Sequence, residues 1–282
     1  MLKNKTIGFL GCGNMAEAII KGLITSKTVS PALITASDIS KERLAYISET
    51  YAITVHNKNF EVVLSSDIIF LSIKPKDTES VLSDIARTLM ENSPKGEKVI
   101  VSIIAGKKTS TINEILNGAG VSVPTPIIRT MPNTPATLGL GITGYFVPSD
   151  VSEENAADVR ELLLAVGEAV RVTKEDDLDT VTGLSGSGPA YVYSFIRALT
   201  EGGVENGLSE EAAFLLATKT VEGAAALAKR SIDDGKTLEE LIKMVSSPGG
   251  TTIEGLKKLK EGDFEDTVKK ALSAATNRAK EL

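Results

Sequence analysis

The chain is 282 residues long and 42% of its residues are hydrophobic, so it can bury a full core and is long enough for two domains. It has 31 basic and 37 acidic residues and a formal net charge of −6, which disfavours a phosphate-backbone partner. No run approaches the roughly 18 uninterrupted apolar residues of a membrane span, and the first residues lead into a strand rather than a signal-peptide core. We therefore expect a cytoplasmic protein with no nucleic-acid and no membrane partner.

The chain has a single cysteine, Cys12, and a single histidine, His56. One cysteine rules out an internal disulfide, and one histidine leaves no Cys/His set for a structural zinc ion. We find no clustered Asp/Glu motif for Mg²⁺ either, so no metal site is predicted. Chemistry must therefore come from a cofactor, from hydroxyl groups and from the backbone.

The first part of the chain alternates short β-branched runs with helical stretches, the pattern of a parallel sheet covered by helices on both faces. The fold class predicted from this pattern is α/β with a doubly wound sheet. The predicted strands are residues 6–10, 33–36, 53–56, 68–73, 98–104, 127–131, 143–147 and 169–172.

The character of the sequence changes after an acidic stretch at residues 175–177, where strand-like runs stop and long Ala/Leu-rich segments begin. We place the domain boundary there, with an α/β domain at residues 1–174 and an all-α domain at residues 175–282. Pro189 suits the first turn of a helix that ends at Asn206-Gly207. Ser209 can cap the next helix, and Thr237 and Glu240 have the spacing of a capping box at the start of a further short helix. The last helices are predicted from about Thr251 and Phe264.

The helix predicted after Ser209, which continues to about Ser231, has little polar face. Its apolar residues are Ala212, Ala213, Leu215, Leu216, Ala217, Val221, Ala224, Ala225, Leu227 and Ala228. A helix that is apolar nearly all round must be buried on several sides, and one small helical domain can hardly provide that cover. We therefore predict that this domain dimerises by interleaving helices, with a central helix of a monomeric bundle as the alternative.

A glycine loop follows the first predicted strand and opens a helix. Gly11, Gly13 and Ala16 give the pattern Gly-x-Gly-x-x-Ala. Gly11 permits a tight turn, Gly13 lets the main chain approach a pyrophosphate, and Ala16 lets helix and strand pack closely. A glycine-rich turn that merely joins strand to helix is the alternative, but the order strand, loop and helix favours dinucleotide binding.

The end of the second strand is where selectivity for the adenosine ribose is set. Asp38 could accept hydrogen bonds from both ribose hydroxyls of NADH and would repel the 2′-phosphate of NADPH. Lys41 and Arg43, on the following helix, could instead neutralise that phosphate, or could be solvated helix charges. The sequence leaves the choice between NADH and NADPH open.

Further cofactor contacts are expected where other strands end and in the loops between them, because an open parallel sheet binds its ligand at the carboxyl ends of its strands. The full predicted cofactor set is Gly8, Leu10, Gly11, Cys12, Gly13, Asn14, Met15, Ser37, Asp38, Asn59, Ser72, Ile73, Lys74, Pro75, Ile104, Ala105, Met131, Pro132 and Asn133.

A turn rich in hydroxyl groups, residues 246–252, comes directly before an amphipathic helix. Backbone N–H groups at a helix start are unpaired and carry the positive end of the helix dipole, so a carboxylate can bind there without a basic side chain. With the glycine loop, this turn predicts a reductase that acts on a small carboxylate. The spacing of Thr251 and Glu254 also fits a capping box, in which Thr251 would only cap the helix.

Five motifs occur in one order and together resemble the pyrroline-5-carboxylate reductase family over nearly the whole chain. They are residues 8–16, Ile73-Lys74-Pro75, residues 129–135, residues 184–191 and residues 245–252. The first motif is shared by many dehydrogenases, whereas the last three in series are specific. The resemblance implies a Rossmann-type domain, a helical dimerisation and substrate-binding domain, and hydride transfer from NADH or NADPH to C5 of 1-pyrroline-5-carboxylate.

The resemblance also implies the site residues. The matched substrate-binding positions are Ser247, Gly249, Gly250, Thr251 and Thr252, and Met131, Pro132 and Asn133 should border the nicotinamide. Dimers of the family often assemble further, so a decamer is a possible assembly. Residues 234–237 depart from the family, in which a His-Pro pair is common at this turn.

For the mechanism we expect catalysis by orientation, because a protonated cyclic imine is already electrophilic and the cofactor supplies the hydride. The N–H groups of Gly250, Thr251 and Thr252 would hold the substrate carboxylate. The hydroxyl of Thr252 would hydrogen-bond the ring nitrogen, and we favour it over Thr251 because a cap would commit the Thr251 side chain.

Two other functions are consistent with part of the sequence. A β-hydroxyacid dehydrogenase would share the domain order but usually has a catalytic lysine on an early helix of its second domain. The helix that follows Gly188 has Arg197 as its only basic residue. A regulator that binds NAD(P) without turnover is the other alternative, and it would need no anion pocket rich in hydroxyl groups.

Overall fold

A computed structural model describes residue 2 and residues 5–92, 97–121 and 125–282 of the chain. The chain divides into two compact units. The first contains residues 1–187 and 274–282, and the second contains residues 188–273. Among the described residues, no helix has the length and apolar content needed to cross a bilayer.

The first unit is built on a sheet of eight strands in the order β3-β2-β1-β4-β5-β6-β7-β8. All of the predicted strands are present, with ends that agree to within two residues. Their bounds are β1 Ile7–Leu10, β2 Ile34–Ser37, β3 Thr54–His56, β4 Ile68–Leu71, β5 Val99–Ser102, β6 Ile127–Met131, β7 Gly141–Phe146 and β8 Gly167–Arg171.

One pairing in the sheet differs from the parallel arrangement that the sequence predicts. Strands β6 and β7 run antiparallel, and the other neighbouring pairs are parallel. The reason is the connection between them, which contains only the short 3₁₀ turn Thr134–Leu138. A parallel return needs a crossover of a dozen or more residues, usually a helix, whereas an antiparallel neighbour can be reached by a short loop.

The helices of the first unit lie between strands along the chain, except α7, which follows β8. Their bounds are α1 Asn14–Thr25, α2 Lys41–Tyr51, α3 Asn59–Ser65, α4 Thr78–Asn92, α5 Thr109–Gly118, α6 Glu153–Leu164 and α7 Asp177–Val181. A π-helical turn, Thr182–Gly186, follows α7 directly.

Two hydrophobic clusters form the core of the first unit. Successive strand residues point to opposite faces of a sheet, so neighbouring residues of one strand enter different clusters. Phe9 and Phe70 belong to the first cluster, and their rings stack with centroids 4.9 Å apart. Leu10 and Leu71, the residues that follow them, belong to the second. Strands buried in this way fix the edge of the sheet at which β1 to β6 end in loops.

The second unit is entirely helical. It contains α8 Gly188–Glu205, α9 Glu210–Asp233, α10 Leu238–Met244, α11 Thr251–Glu261 and the first part of α12 Phe264–Lys280. The predicted caps of two of these helices are confirmed. Ser209 accepts a hydrogen bond from the N–H of Ala212, and Thr237 and Glu240 form a capping box. Helices α8 and α9 pack closely where Gly203 faces Ala213.

The structural division comes later in the chain than residues 174 and 175, where the sequence changes character. Helix α7 belongs to the first unit because buried charges join it to the sheet. Asp179 of α7 accepts a hydrogen bond of 3.2 Å from Arg129 of β6, and both side chains are almost fully buried. Glu175 accepts two hydrogen bonds from Thr109 at the start of α5. A functional boundary at residue 174 remains a prediction.

Candidate active site

A cavity of about 790 Å³ opens at the carboxyl edge of the sheet, beside the loops that follow β1, β2, β4 and β5. This is where an open α/β sheet places its ligand. The predicted cofactor residues that line it are Gly11, Gly13, Asn14, Met15, Ser37, Asp38, Asn59, Ser72, Ile73 and Lys74.

The glycine loop has the geometry that a pyrophosphate requires. Gly11 has φ +93°, and an added Cβ would lie 2.5 Å from the carbonyl oxygen of Ser72, so only glycine fits this turn. A Cβ added to Gly13 would meet no described atom within 4 Å. Gly13 is also the N-cap of α1 and offers no side chain to its N–H groups. The start of α1 is therefore open to an anion.

Two polar side chains support the fit of a nucleotide cofactor to this cavity. The hydroxyl oxygen of Ser72 is buried and has no hydrogen-bond partner among the described residues, although Ser72 lines the cavity. Ser37 donates a hydrogen bond of 2.8 Å to Oδ1 of Asn59, which fixes the amide and leaves its NH₂ group for a ligand. Because buried polar atoms normally have partners, these groups fit a polar ligand.

Asp38 ties the end of β2 to the glycine loop. Its Oδ2 accepts a hydrogen bond of 2.7 Å from the N–H of Cys12, and its Oδ1 accepts one of 2.9 Å from the N–H of Ser40. The carboxylate is thus held at the rim of the cavity by two backbone donors.

Arg43 is not among the described residues that line the cavity. Its guanidinium donates to the carbonyl oxygen of Cys12, forms an ion pair with Glu17, and lies over the ring of Tyr46 at 5.1 Å from the centroid. Glu17 also accepts hydrogen bonds from Tyr51 at 2.8 Å and Tyr46 at 3.1 Å. Burial opposes ionisation of Glu17, but the hydrogen bonds from Arg43 and the two tyrosines outweigh it and hold the pKa of Glu17 below its ordinary value.

Cys12 is a buried thiol rather than a reactive one. Burial, with a smaller contribution from the charge of Asp38, raises the pKa of Cys12 to about 12. Because the thiolate is the nucleophilic form, burial disfavours reaction of this cysteine at neutral pH. Its thiol donates a hydrogen bond of 3.6 Å to the carbonyl oxygen of Ser37, and its backbone groups bond to Asp38 and Arg43.

Several predicted cofactor residues lie away from the cavity wall. The side chains of Leu10 and Ile104 are in the hydrophobic core, so a contact of either residue with the cofactor would use its backbone groups, and that contact remains a prediction. Gly8 is needed for packing, since an added Cβ would lie 2.3 Å from the hydroxyl of Ser66. Cys12, Pro75 and Ala105 are likewise absent from the described wall of the cavity.

Ile39 is the main wall residue that sequence reasoning missed. Its side chain is fully exposed, and it lines both this cavity and a second cavity of about 550 Å³, which also shares Asp38 and Asn59. Ile39 therefore presents an exposed apolar side chain next to Asp38. The available signal was an apolar residue directly after the acidic residue that ends a buried strand.

Asn133 has a structural task at the end of β6. Its Oδ1 accepts a hydrogen bond of 2.9 Å from the N–H of Ile142, and its Nδ2 donates one of 3.2 Å to the carbonyl oxygen of Ser185. Asn133 thereby joins three segments, the end of β6, the start of β7 and the π-helical turn. Its neighbour Met131 contacts the same turn at Gly186. A contact of this segment with nicotinamide remains a prediction.

The turn before α11 is shaped by its proline and glycines. Gly250 donates a hydrogen bond of 2.9 Å to the carbonyl oxygen of Ser247, and Gly249 has φ +73°. Proline at the second position and a glycine with positive φ at the third are the pattern of a type II turn. Ser247 is exposed at its start, and Thr252, in the first turn of α11, is half-buried.

This geometry corrects two expectations. The N-cap of α11 is Gly250, no side chain caps the helix, and Thr251 is already its first residue, so the capping box of Thr251 and Glu254 is wrong. The N–H of Gly250 is occupied by Ser247 and is not available to a carboxylate. Among the described residues, no hydrogen bond engages the N–H groups or hydroxyls of Thr251 and Thr252.

The fold and the glycine loop define a class, the Rossmann-type proteins that bind a dinucleotide cofactor, here followed by an all-helical region. Residues 6–106 match the family model described as NADP oxidoreductase coenzyme F420-dependent. Residues 175–282 match the model described as pyrroline-5-carboxylate reductase dimerisation. The helical region is therefore one of a family of dimerisation domains.

Relatives over the whole length give the particular family. The chain is 39% identical to the pyrroline-5-carboxylate reductase of Pseudomonas aeruginosa, with 98% of this chain and 96% of the relative covered. It is 37% identical to that of Methanosarcina acetivorans, with 100% and 99% covered. The solved pyrroline-5-carboxylate reductase of Coxiella burnetii superposes with a TM-score of 0.88 at 33% identity, covering 99% of this chain and 98% of the other.

A second solved structure bears on the cofactor. The pyrroline carboxylate reductase of Plasmodium falciparum, solved with NADP bound, superposes with a TM-score of 0.85 at 30% identity, covering 99% of this chain and 98% of that one. The chain belongs to the pyrroline-5-carboxylate reductase family, as its sequence motifs predict.

Proposed function

We propose that this protein reduces 1-pyrroline-5-carboxylate to L-proline with NADH or NADPH, the last step of proline biosynthesis. The observation that carries this function is the sequence identity of 37% and 39% to two pyrroline-5-carboxylate reductases. The matched region covers essentially the whole chain, including the glycine loop and the turn before α11. The β-hydroxyacid dehydrogenase alternative is less well supported, because α8 contains no lysine.

The residues that would hold the cofactor follow from the cavity. Gly11, Gly13 and the start of α1 would bind the pyrophosphate, and Asp38 and Asn59 would bind the adenosine end. Met131, Pro132 and Asn133 would border the nicotinamide. When bound, NAD(P)H supplies the hydride for C5 of the imine.

The substrate would be oriented by the turn before α11. The free N–H groups of Thr251 and Thr252 carry the positive end of the helix dipole, and they would bind the carboxylate in place of the occupied N–H of Gly250. The protonated ring nitrogen would donate a hydrogen bond to the hydroxyl of Thr252. Ser247 and Gly249 would complete the pocket.

The assembly proposed for this protein is a homodimer in which the helices of two copies interleave, with a decamer as a possible higher assembly. The support is the poor burial of the second unit, where Phe214, Leu215 and Leu216 of α9 are each more than half exposed in the single chain. The proposed location is the cytoplasm, as the sequence predicts.

The experiment that tests the function is the loss of NADH and NADPH absorbance, followed separately, with purified protein and 1-pyrroline-5-carboxylate. We expect oxidation that depends on the imine and yields proline. The comparison assay uses 3-hydroxyisobutyrate with the oxidised cofactors. Reduction of the oxidised cofactor by 3-hydroxyisobutyrate, with no reaction of the imine, would establish the β-hydroxyacid dehydrogenase. Cofactor binding without either reaction would favour a regulator.

A further inference from the structure

The carboxylate of Asp38 is held in one position, in which its oxygens can accept hydrogen bonds from hydroxyl groups. Each of its oxygens accepts one backbone N–H, from Cys12 or from Ser40, and a carboxylate oxygen can accept a second hydrogen bond. When a pyrophosphate lies at the start of the first helix, the ribose of the adenosine half lies at the end of the second strand. Ribose hydroxyls can donate to Asp38, whereas a 2′-phosphate brings a like charge to it.

The nearest candidate to offset that repulsion, Arg43, is already engaged. Its guanidinium bonds the carbonyl oxygen of Cys12 and the carboxylate of Glu17 and stacks on Tyr46. Glu17 is itself held by Tyr46 and Tyr51. Turning Arg43 to a phosphate at the rim would break an ion pair that is three-quarters buried on both sides.

The other basic residues near Asp38 are engaged elsewhere or poorly placed for a 2′-phosphate. In the second cavity, Lys58 lies over the ring of Phe60 and Arg87 forms an ion pair with Asp84. Lys41 is exposed and is not part of the described cavity wall, and solvent weakens the effect of such a charge. Lys74 and Lys76 do line the cavity, but they follow β4 rather than β2.

We propose that this protein binds NADH in preference to NADPH, that Asp38 makes the distinction, and that Glu17 maintains it by retaining Arg43. The inference rests on the proposed use of NAD(P)H but not on the identity of the imine. A preference for NADH would distinguish this chain from the relative that was solved with NADP bound. It would also differ from the NADP in the description of the family model that matches residues 6–106.

The test is the dissociation constant of each reduced cofactor, measured by nucleotide fluorescence on the protein without imine. Wild type should bind NADH more tightly than NADPH. Asp38→Asn should shift the ratio of the two constants toward NADPH by about tenfold or more, because one repulsive charge is removed. Glu49→Gln removes the same charge from an exposed position on α2, the helix that follows Asp38, and should leave the ratio unchanged.

A second variant addresses Arg43. Glu17→Gln keeps an acceptor for the two tyrosines but removes the charge that holds the guanidinium, so we expect tighter NADPH binding, most clearly when combined with Asp38→Asn. If wild type binds NADPH as tightly as NADH, the proposal is wrong, whether or not Asp38→Asn folds. An unchanged ratio in a folded Asp38→Asn protein would also overturn it. Because no imine is present, failure of the reductase assay would not affect this result.

Discussion

Gly13 is the position in the glycine loop where a side chain would compete directly with a ligand. Its φ of −64° and ψ of 178° are available to any residue, and an added Cβ meets open space. Gly11 differs, because its positive φ and the nearby carbonyl of Ser72 exclude a side chain on structural grounds. A side chain at position 13 should therefore affect ligand binding, whereas a side chain at position 11 should affect folding.

We expect Gly13→Val to fold like wild type but to lose NADH affinity by about 100-fold, because the isopropyl group fills the space through which the pyrophosphate approaches the backbone. Fluorescence titration and thermal unfolding measure the two effects. Gly11→Val is the contrasting variant and should lose about 1–3 kcal/mol of stability or more from backbone strain. Unaltered NADH affinity in folded Gly13→Val would remove the loop from the cofactor site.

Thr252 is the residue proposed to contact the substrate nitrogen. A hydrogen bond to a charged group contributes about 1.5–3 kcal/mol, so Thr252→Ala should lower kcat/KM for the imine by about 10-fold to 100-fold. Its melting temperature should not fall, since alanine is the better helix former. Steady-state kinetics and thermal unfolding test both statements.

Thr251→Ala is the matched control, because it removes the same hydroxyl one residue earlier in the same helix. The structure shows that Thr251 does not cap α11, so the original reason to prefer Thr252 is gone, and partial burial of Thr252 now supports that choice. A larger kinetic loss in Thr251→Ala than in Thr252→Ala would exchange the two roles.

At the scale of elements, the sequence predicted those features that depend on a short stretch of neighbouring residues. All of the strands, the glycine loop at the start of α1 and the caps at Ser209 and Thr237 are confirmed, because strand runs and side chains within three residues of a helix start carry this information. The antiparallel pairing of β6 and β7 was not predicted, since it depends on which strand the chain meets after a short turn.

Contacts between distant elements were beyond the reach of sequence reasoning. Asp38 reaches the N–H of Cys12 only because β1 and β2 are neighbours, and Arg43 meets Glu17 only because α1 and α2 face each other. The motif alone therefore left Arg43 as a candidate partner for a phosphate. The turn at Ser247 shows the same limit. The pattern of hydroxyls did not reveal that Gly250 would be the N-cap of α11 or that its N–H would donate to the carbonyl oxygen of Ser247.

At the scale of the whole molecule, the helical region lacks a core of its own. No residue of α8, α10 or α11 is buried, and α9 buries only Ala213, Ala217 and Ser231. Stable homodimer interfaces resemble a domain core divided between two chains, so these exposed apolar faces fit a surface that a second copy covers. The match to a dimerisation family agrees with that interpretation.

Sedimentation tests whether a second copy covers these faces. Wild type at micromolar concentration should sediment with at least twice the 29.8 kDa mass of one chain. Leu216→Glu should shift it toward monomer, because Leu216 is 57% exposed in the single chain and a buried, unpaired charge at an interface is costly. Lys219→Gln makes the same change in net charge at an exposed polar position of the same helix and should leave the mass unaltered. If α9 instead faces water, glutamate at position 216 costs nothing, and a wild type that sediments as a monomer would refute the interleaved-helix dimer.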